Sequence, residues 1–320
     1  MQVLNPELVR TVRVRAAAMV ARDVREFELV APDGGELPAF TPGAHLLIQA
    51  PSGATRRYSL CNAPDERDRY VIAVKREAGG RGGSISMVDD VKTGDELFVS
   101  LPRNEFELKD AAQYLFIAGG IGITPIRSMV QHLATADERP WKLCYLTRDP
   151  DITAYREALL APGYRGKVTI HHDNGDPGQA FDLWPLLEKP KGHVYCCGPR
   201  GLMDAVRDMT GHWPSSAVHF EDFGAGTNKR TAEDRPFIVR VGADGPPIEV
   251  AANVTMLEAL RAHGHRVPSS CESGTCGSCR TKLLAGEPDH RDLVLTEDER
   301  RDHVMPCVSR ARSAELVIAP

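Results

Sequence analysis

Ser270-Cys271-Glu272-Ser273-Gly274-Thr275-Cys276-Gly277-Ser278-Cys279-Arg280 sets three thiols at Cys-x4-Cys-x2-Cys spacing, and Cys307 follows after 27 intervening residues. That is the spacing of a plant-type 2Fe–2S centre. Four thiolates bring four negative charges to two irons and two sulfides, so the loop must aim donors at the sulfurs. Gly274 and Gly277 let the backbone wrap closely enough to do so, and Ser273, Thr275 and Ser278 add small hydroxyls. A structural zinc site is the alternative use of the same thiolates, but such sites usually pair two compact hooks. Here the fourth cysteine stands alone. Four of the eight cysteines fall in the last 50 of 320 residues, which points to ligation rather than to the disulfide framework of a small secreted domain.

Outward from the cysteines, the chain reads as three compositional regions. Phe237–Val241, Pro247–Val250, Arg280–Leu284 and Leu316–Ala319 read as strands around the loop, with an amphipathic helix over Met256–His263. Gly224–Pro236 is small, polar and charged, and reads as a linker. Before it, strands alternate with helices: Tyr114–Ala118, Trp141–Thr147, Lys167–His171, Val194–Cys197 and Val218–Phe220 as strands, with Pro125–Leu133, Ala154–Leu160 and Gly201–Met209 helical. Alternation of this kind predicts a parallel sheet covered by helices, with ligands at the carboxyl ends of its strands. The N-terminal region carries short apolar runs (Val12–Val14, His45–Gln49, Tyr58–Leu60, Tyr70–Lys75, Glu96–Ser100) between turn residues, and reads as an antiparallel β-barrel. The expected domains are 1–110, 111–224, a linker over 225–236, and 237–320.

Composition agrees with a multidomain globular chain. Hydrophobic residues are 42%, and 39 Lys plus Arg against 44 Asp plus Glu leave a net charge of −5 with no basic stripe, so nucleic acid is not an expected partner. The N-terminus lacks the apolar core of a secretory signal, and no stretch reaches 18 apolar residues; no membrane association and a cytoplasmic location are expected.

Several stretches carry chemistry. In Arg57-Tyr58-Ser59-Leu60, the tyrosine suits a flavin ring, Ser59 its N5, and Arg57 a phosphate, although an ordinary barrel strand is an equal reading. Gly79-Gly80-Arg81-Gly82-Gly83-Ser84-Ile85-Ser86 offers an anion nest or a flexible hairpin. Gly119-Gly120-Ile121-Gly122-Ile123-Thr124-Pro125 follows a strand and opens a helix, where backbone donors favour a pyrophosphate. Cys197, ahead of Gly198-Pro199, stands at a strand's carboxyl edge, in position for a nicotinamide; Cys61, Cys144 and Cys196 read as small buried hydrophobes. His171 and His172 read as strand-end structural residues. Asp149 suits an adenosine ribose, while the neighbouring Arg148 suits a 2′-phosphate. The run from Glu287 to Asp302, seven carboxylates against three arginines, reads as a solvated helix face or a docking surface for a redox partner.

With these motifs in this order, and with Leu101–Phe106, His193–Pro199, Leu202–Asp204, Val218–Glu221 and Ser269–Cys279, the sequence resembles the class IA reductases that supply electrons to Rieske-type aromatic-ring oxygenases. The resemblance spans essentially the whole chain. It implies an FMN-binding β-barrel, an NADH-binding α/β domain and a C-terminal α+β, β-grasp ferredoxin domain, in a monomer. NADH would deliver a hydride to the flavin, and single electrons would pass through the cluster to the oxygenase. Carried over by residue, Arg57, Tyr58, Ser59 and Leu60 hold the flavin, with Lys75 beside them. Arg81, Gly82, Gly83, Ser84 and Ser86 hold its phosphate. Gly120, Gly122, Thr124, Cys197, Gly198 and Pro199 receive the nucleotide, Phe223 shields the flavin face, and Ser59 and Cys197 tune its reduction. FAD replaces FMN in wider relatives. A ferredoxin-like carrier or redox sensor with an inactive flavin domain is the competing expectation.

Overall fold

The computed structural model describes residues 7–78, 82–135, 139–223, 234–269, 274, 277–292 and 294–320. The chain forms two compact units, Met1–Glu221 and Asp222–Pro320.

The first unit begins with six antiparallel strands, β1 (Arg10–Ala21), β2 (Val24–Val30), β3 (His45–Gln49), β4 (Thr55–Ser59), β5 (Tyr70–Lys75) and β6 (Glu96–Val99), in the order β4-β3-β6-β1-β2-β5. A bridge between Leu60 and Ile72, reinforced by Cys61 N donating to Val71 O at 2.8 Å, joins the two edge strands and closes the barrel. Closure removes the unpaired edges that an open sheet would expose. Val12, Val14, Phe27, Leu29, Leu46, Ile48, Leu60 and Ile72 fill the interior.

Two elements here differ from the sequence reading. β2 was not expected, because Arg25, Glu26 and Glu28 interrupt its apolar run and the β1–β2 turn lacks a glycine; Asp23 supplies the left-handed residue at φ 63°. β1 is longer than Val12–Val14, and irregular register after Val14 and Met19 breaks its two-residue period. The glycine-rich stretch is also not simply a loop: α1 (Gly83–Asp90) starts inside it, with Gly82 at φ 83° as its cap.

The same unit continues into a parallel sheet of β7 (Tyr114–Gly119), β8 (Trp141–Thr147), β9 (Val168–His172), β10 (His193–Cys197) and β11 (Val218–Glu221), ordered β11-β10-β7-β8-β9. Helices α2 (Ile123–Thr135), α3 (Arg156–Leu159), α4 (Trp184–Leu187) and α5 (Arg200–Met209) connect the strands. Strand alternation divides the core between two faces. Phe116, Ala118, Tyr145, Tyr195 and Cys197 pack with α2, whereas Leu115, Ile117, Cys144, Val194 and Cys196 pack with α4 and α5. The first of these clusters also takes in Val24, Cys61, Val71, Ala73 and Phe106, so barrel and parallel sheet share one core. Because β7 lies between β8 and β10, the order of connection reverses at the β7/β10 boundary, and a crevice opens there at the strands' carboxyl ends.

Among the described residues, the second unit is a mixed sheet with one α-helix. Its strands are β12 (Phe237–Val241), β13 (Ile248–Val250), β14 (Thr281–Ala285), β16 (His303–Val304) and β18 (Glu315–Ile318), ordered β13-β12-β18-β14-β16, beside a small β15 (Pro288–Asp289)/β17 (Arg310–Ala311) pair. Helix α6 (Met256–Ala262) starts in a capping box between Thr255 and Glu258. Met256, Ala259 and Leu260 face the sheet's core, while Leu257 faces a second cluster that contains Cys279 and Cys307. The buried Arg310 ties the start of the unit down, donating to the carbonyls of Arg235, Ala251 and Val254 and lying over the Phe237 ring.

Candidate functional site

Strand β4 presents two faces. By the two-residue period, Arg57 and Ser59 share one, and Arg56 and Tyr58 the other. The Arg57 guanidinium pairs with Glu105 and donates through Nε to His45 Nε2 at 3.1 Å. Burial first, then Arg57 and Arg103, push the His45 pKa down to about 3, so its imidazole is the neutral acceptor that this bond needs. Leu60 is fully buried in the barrel core. Tyr58 Oη and Ser59 Oγ, by contrast, are buried with no hydrogen-bond partner among the described residues. Leaving such a group unpaired costs about 1–3 kcal/mol, which a bound ring with donors and acceptors would recover. Burial also pushes the Tyr58 pKa up to about 12, keeping it a donor.

A residue that the sequence reading missed stands across from α1. A Cβ on Gly83 would lie 3.1 Å from both Cγ and Nε of Arg56. Gly83, Ser84 and Ile85 at the start of α1 lack intrahelical acceptors for their N–H groups, so a guanidinium and a helix N-terminus converge on one spot. The signal was in the sequence: a strand puts Arg56, not Arg57, on the face of Tyr58. The two serines are partly committed, Ser84 Oγ accepting from Glu77 N and Ser86 Oγ accepting from Ser52 N while donating to Gly83 O. Lys75 pairs with Glu77 on the surface at 3.2 Å. Arg81 lies outside the described residues.

In the β7/β10 crevice the glycines serve first to let two backbones meet. A Cβ on Gly122 would sit 2.1 Å from Cys197 O, and one on Gly119 2.6 Å from Pro199 Cδ; Gly198 abuts Gly119. Gly120, at φ 53°, faces open space. Thr124 is buried and donates to Ile121 O at 3.0 Å. Cys197 is fully buried at the strand's carboxyl end, and Pro199 caps α5. At the outer end of β8, Asp149 Oδ1 accepts from the N–H groups of Asp151 and Ile152, and Oδ2 meets Arg22 Nη2 at 3.0 Å. Arg148 is exposed. Phe223 follows β11 by two residues, its side chain 40% exposed.

In the second unit, Cys279 and Cys307 are buried in one apolar pocket with Leu257, Leu295, Met305 and Val308. Cys271 and Cys276 lie outside the described residues. Gly274 and Gly277 have φ of 79° and 78°, as a tightly wrapped loop demands. A Cβ on Gly274 would strike Val308 Cγ2 at 2.7 Å. This pocket, sealed by apolar side chains and bounded by left-handed glycines, fits a sulfur-ligated cluster.

The acidic run is neither helical nor free. Asp289 meets Arg291, Asp292 is buried, Glu299 meets Arg280, and Asp302 meets His303, while Glu297 and Asp298 keep side-chain exposures of 91% and 88%. Only Glu299–Arg301 forms a turn of 3-10 helix there among the described residues.

Three family models match in series: an oxidoreductase FAD-binding domain over residues 11–108, an oxidoreductase NAD-binding domain over 116–208, and a 2Fe-2S iron-sulfur cluster binding domain over 241–312. The chain is 55% identical over 309 residues to the phthalate 4,5-dioxygenase oxygenase reductase subunit of Pseudomonas putida, covering 96% of this chain and 95% of that one. It is likewise 55% identical over 309 residues to phthalate dioxygenase reductase of Burkholderia cepacia, covering 96% of each. A solved phthalate dioxygenase reductase, described as modular for electron transfer from pyridine nucleotides to 2Fe-2S, superposes with a TM-score of 0.80 at 54% identity, covering 97% of this chain and 98% of that one. These similarities bear out the expected flavin, nicotinamide and ferredoxin folds, and they favour the iron–sulfur use of the cysteines over zinc.

Proposed function

The chain belongs to the phthalate dioxygenase reductase family, and from that premise we propose that it draws electrons from NADH and delivers them singly to a Rieske-type aromatic-ring oxygenase. The observation that carries this reading is the succession, in one chain, of flavin-type, NAD-type and 2Fe-2S domain matches. When bound, flavin and cluster supply the redox chemistry, a two-electron acceptor for NADH and a one-electron relay onward.

The polypeptide's part is to bind, orient and exclude water. Tyr58 Oη, on the Arg56 face, and Ser59 Oγ, at the strand's end, would meet polar atoms of the flavin, a reading that their lack of other partners supports. Arg56 and the N–H groups at the start of α1, with Gly82, Gly83 and the serines, take a terminal phosphate. So many donors on one spot suit FMN, whose phosphate carries nearly two charges. Arg57 holds His45 and Glu105 on the other face of β4 from Arg56 and Tyr58. Gly120 and the backbone around Gly122, Cys197 and Gly198 receive the nicotinamide nucleotide, with Thr124 and Pro199 fixing the walls. Phe223 would be the aromatic that shields the flavin. Cys271, Cys276, Cys279 and Cys307 ligate the cluster. The functional boundaries are 1–110, 111–224 and 237–320, with 225–236 as tether, and the protein works as a monomer. No helix among the described residues is long and apolar enough to cross a membrane.

The test is to release the flavin from purified protein, identify it by chromatography, and assay NADH oxidation with a one-electron acceptor. FMN and brisk reduction are expected. FAD would correct the phosphate assignment, and a cluster-bearing protein with no flavin would make the chain a carrier.

A further inference from the structure

Asp292 is the one carboxylate of the acidic run whose side chain is fully shielded from solvent, at 0% exposure. Its Oδ2 accepts from Leu295 N at 2.9 Å and from Val294 N at 3.3 Å. Its Oδ1 has no hydrogen-bond partner among the described residues. His290 Nδ1 stands 3.6 Å from Oδ1, beyond hydrogen-bond reach. His290 Nε2 lies 3.0 Å from Arg300 O, a group that can only accept, so the imidazole proton sits on Nε2 and Nδ1 is bare in the neutral ring. Arg300 reaches the backbone carbonyl of Asp292 rather than its carboxylate, and Arg291 is engaged by Asp234 and Asp289.

This carboxylate lies against Gly274 of the cysteine-bearing stretch. A Cβ on Gly274, between Cys271 and Cys276, would be 3.1 Å from Asp292 Cα and 3.3 Å from its Cβ. Leu295, whose N–H the carboxylate holds, packs in the pocket of Cys279 and Cys307. A buried carboxylate is expensive and is ordinarily matched by a cation. Here no arginine or lysine meets it among the described residues, and the one basic side chain beside Oδ1 is His290 at 3.6 Å.

We propose that Asp292 lowers the reduction potential of the iron–sulfur centre, by fixing a negative charge against the ligand loop where reduction adds another. Water does not screen the repulsion at a buried site, so it persists at physiological salt. A lower potential favours electrons leaving the cluster for the acceptor. Asp292 is thus a positioning and electrostatic residue, not a ligand.

The inference rests on the reading that the four cysteines hold a 2Fe–2S cluster, and the experiment separates the two. Full-length holoprotein is titrated potentiometrically with EPR and visible detection, comparing wild type with Asp292→Asn, Asp292→Ser and Asp292→Glu. Asn and Ser keep an oxygen for Leu295 N–H but remove the charge. Each should move the cluster's reduction equilibrium toward the reduced form by roughly tenfold, about 59 mV for one electron, whereas Glu should stay near wild type. An unchanged potential in an iron-replete Asn variant overturns the proposal. So does loss of iron from both neutral variants with retention in Glu, which would make Asp292 a structural cap. Absence of the cluster signal from wild type would instead sink the iron–sulfur reading.

Discussion

The flavin wall and the nucleotide crevice sit in one compact unit and treat their polar atoms in opposite ways. On β4, the Tyr58 and Ser59 hydroxyls are buried without partners, and α1 points a helix N-terminus at Arg56. In the crevice, the Thr124 hydroxyl is bonded to its own turn and the glycines press backbone against backbone, and at the end of β8 Asp149 caps the next turn and is ion-paired. A wall that is incomplete alone suits a resident group; a crevice that is complete alone suits a substrate that arrives and departs. In this account the protein keeps its flavin and exchanges its nucleotide.

The largest effect is expected at Gly122. Gly122→Ala forces a methyl onto the Cys197 carbonyl, an overpacking that should cost at least about 1–3 kcal/mol, read as a lower Tm, and slow reduction by NADH more than 100-fold in stopped flow. Gly120→Ala, at a left-handed but open position, should be markedly milder. Next come the paired arginines. Arg56→Ala removes a charge-assisted contact of about 1.5–3 kcal/mol and should weaken flavin retention roughly 10- to 100-fold, measured as flavin content after gel filtration. Arg57→Ala should leave retention closer to wild type; equal losses would erase the distinction between the faces of β4. Ser59→Ala and Cys197→Ala should slow flavin reduction about tenfold while leaving NADH affinity nearly unchanged, the pattern of a contact made in the transition state. Normal rates in both would remove them from that role.

A subtler effect concerns acid. His45 behind the wall has its pKa lowered to about 3, and His219, stacked on Tyr195 at 4.4 Å, to about 4, both chiefly by burial. The unfolded chain therefore binds more protons than the folded one. Stability from these groups is full above pH 6.5 and is lost as pH falls toward 4. Tm should decline across that window, and less so in His219→Gln. The smallest effect is expected at Arg22→Ala: the Arg22–Asp149 pair is half-exposed, so its loss should cost below about 1 kcal/mol by denaturant titration.

How much of this was legible in the sequence varied with the range of the interactions. The extents of β8 and β12 are those expected, because an uninterrupted apolar run bounded by polar turns specifies a buried strand locally. The β1–β2 hairpin was only half legible, since irregular register and charged residues on the outer face blur its period. α1 was hidden because a glycine start reads as a loop until Gly82 is seen in its left-handed cap. For the site, the cysteine spacing was explicit, and Arg56 was recoverable from strand alternation. Asp292 was not: Gly274 packs against it from across the sequence, a contact that no local pattern encodes. The glycines after β7 open a helix as expected, yet much of their demand is contact with β10, which only the sheet order reveals.

The most direct single measurement is anaerobic addition of NADH to the purified protein, with optical absorbance following the flavin and EPR following the cluster. The account predicts that the flavin bleaches and that an iron–sulfur signal grows from the same sample without added mediator. A bleached flavin beside an EPR-silent, still oxidised cluster would contradict it.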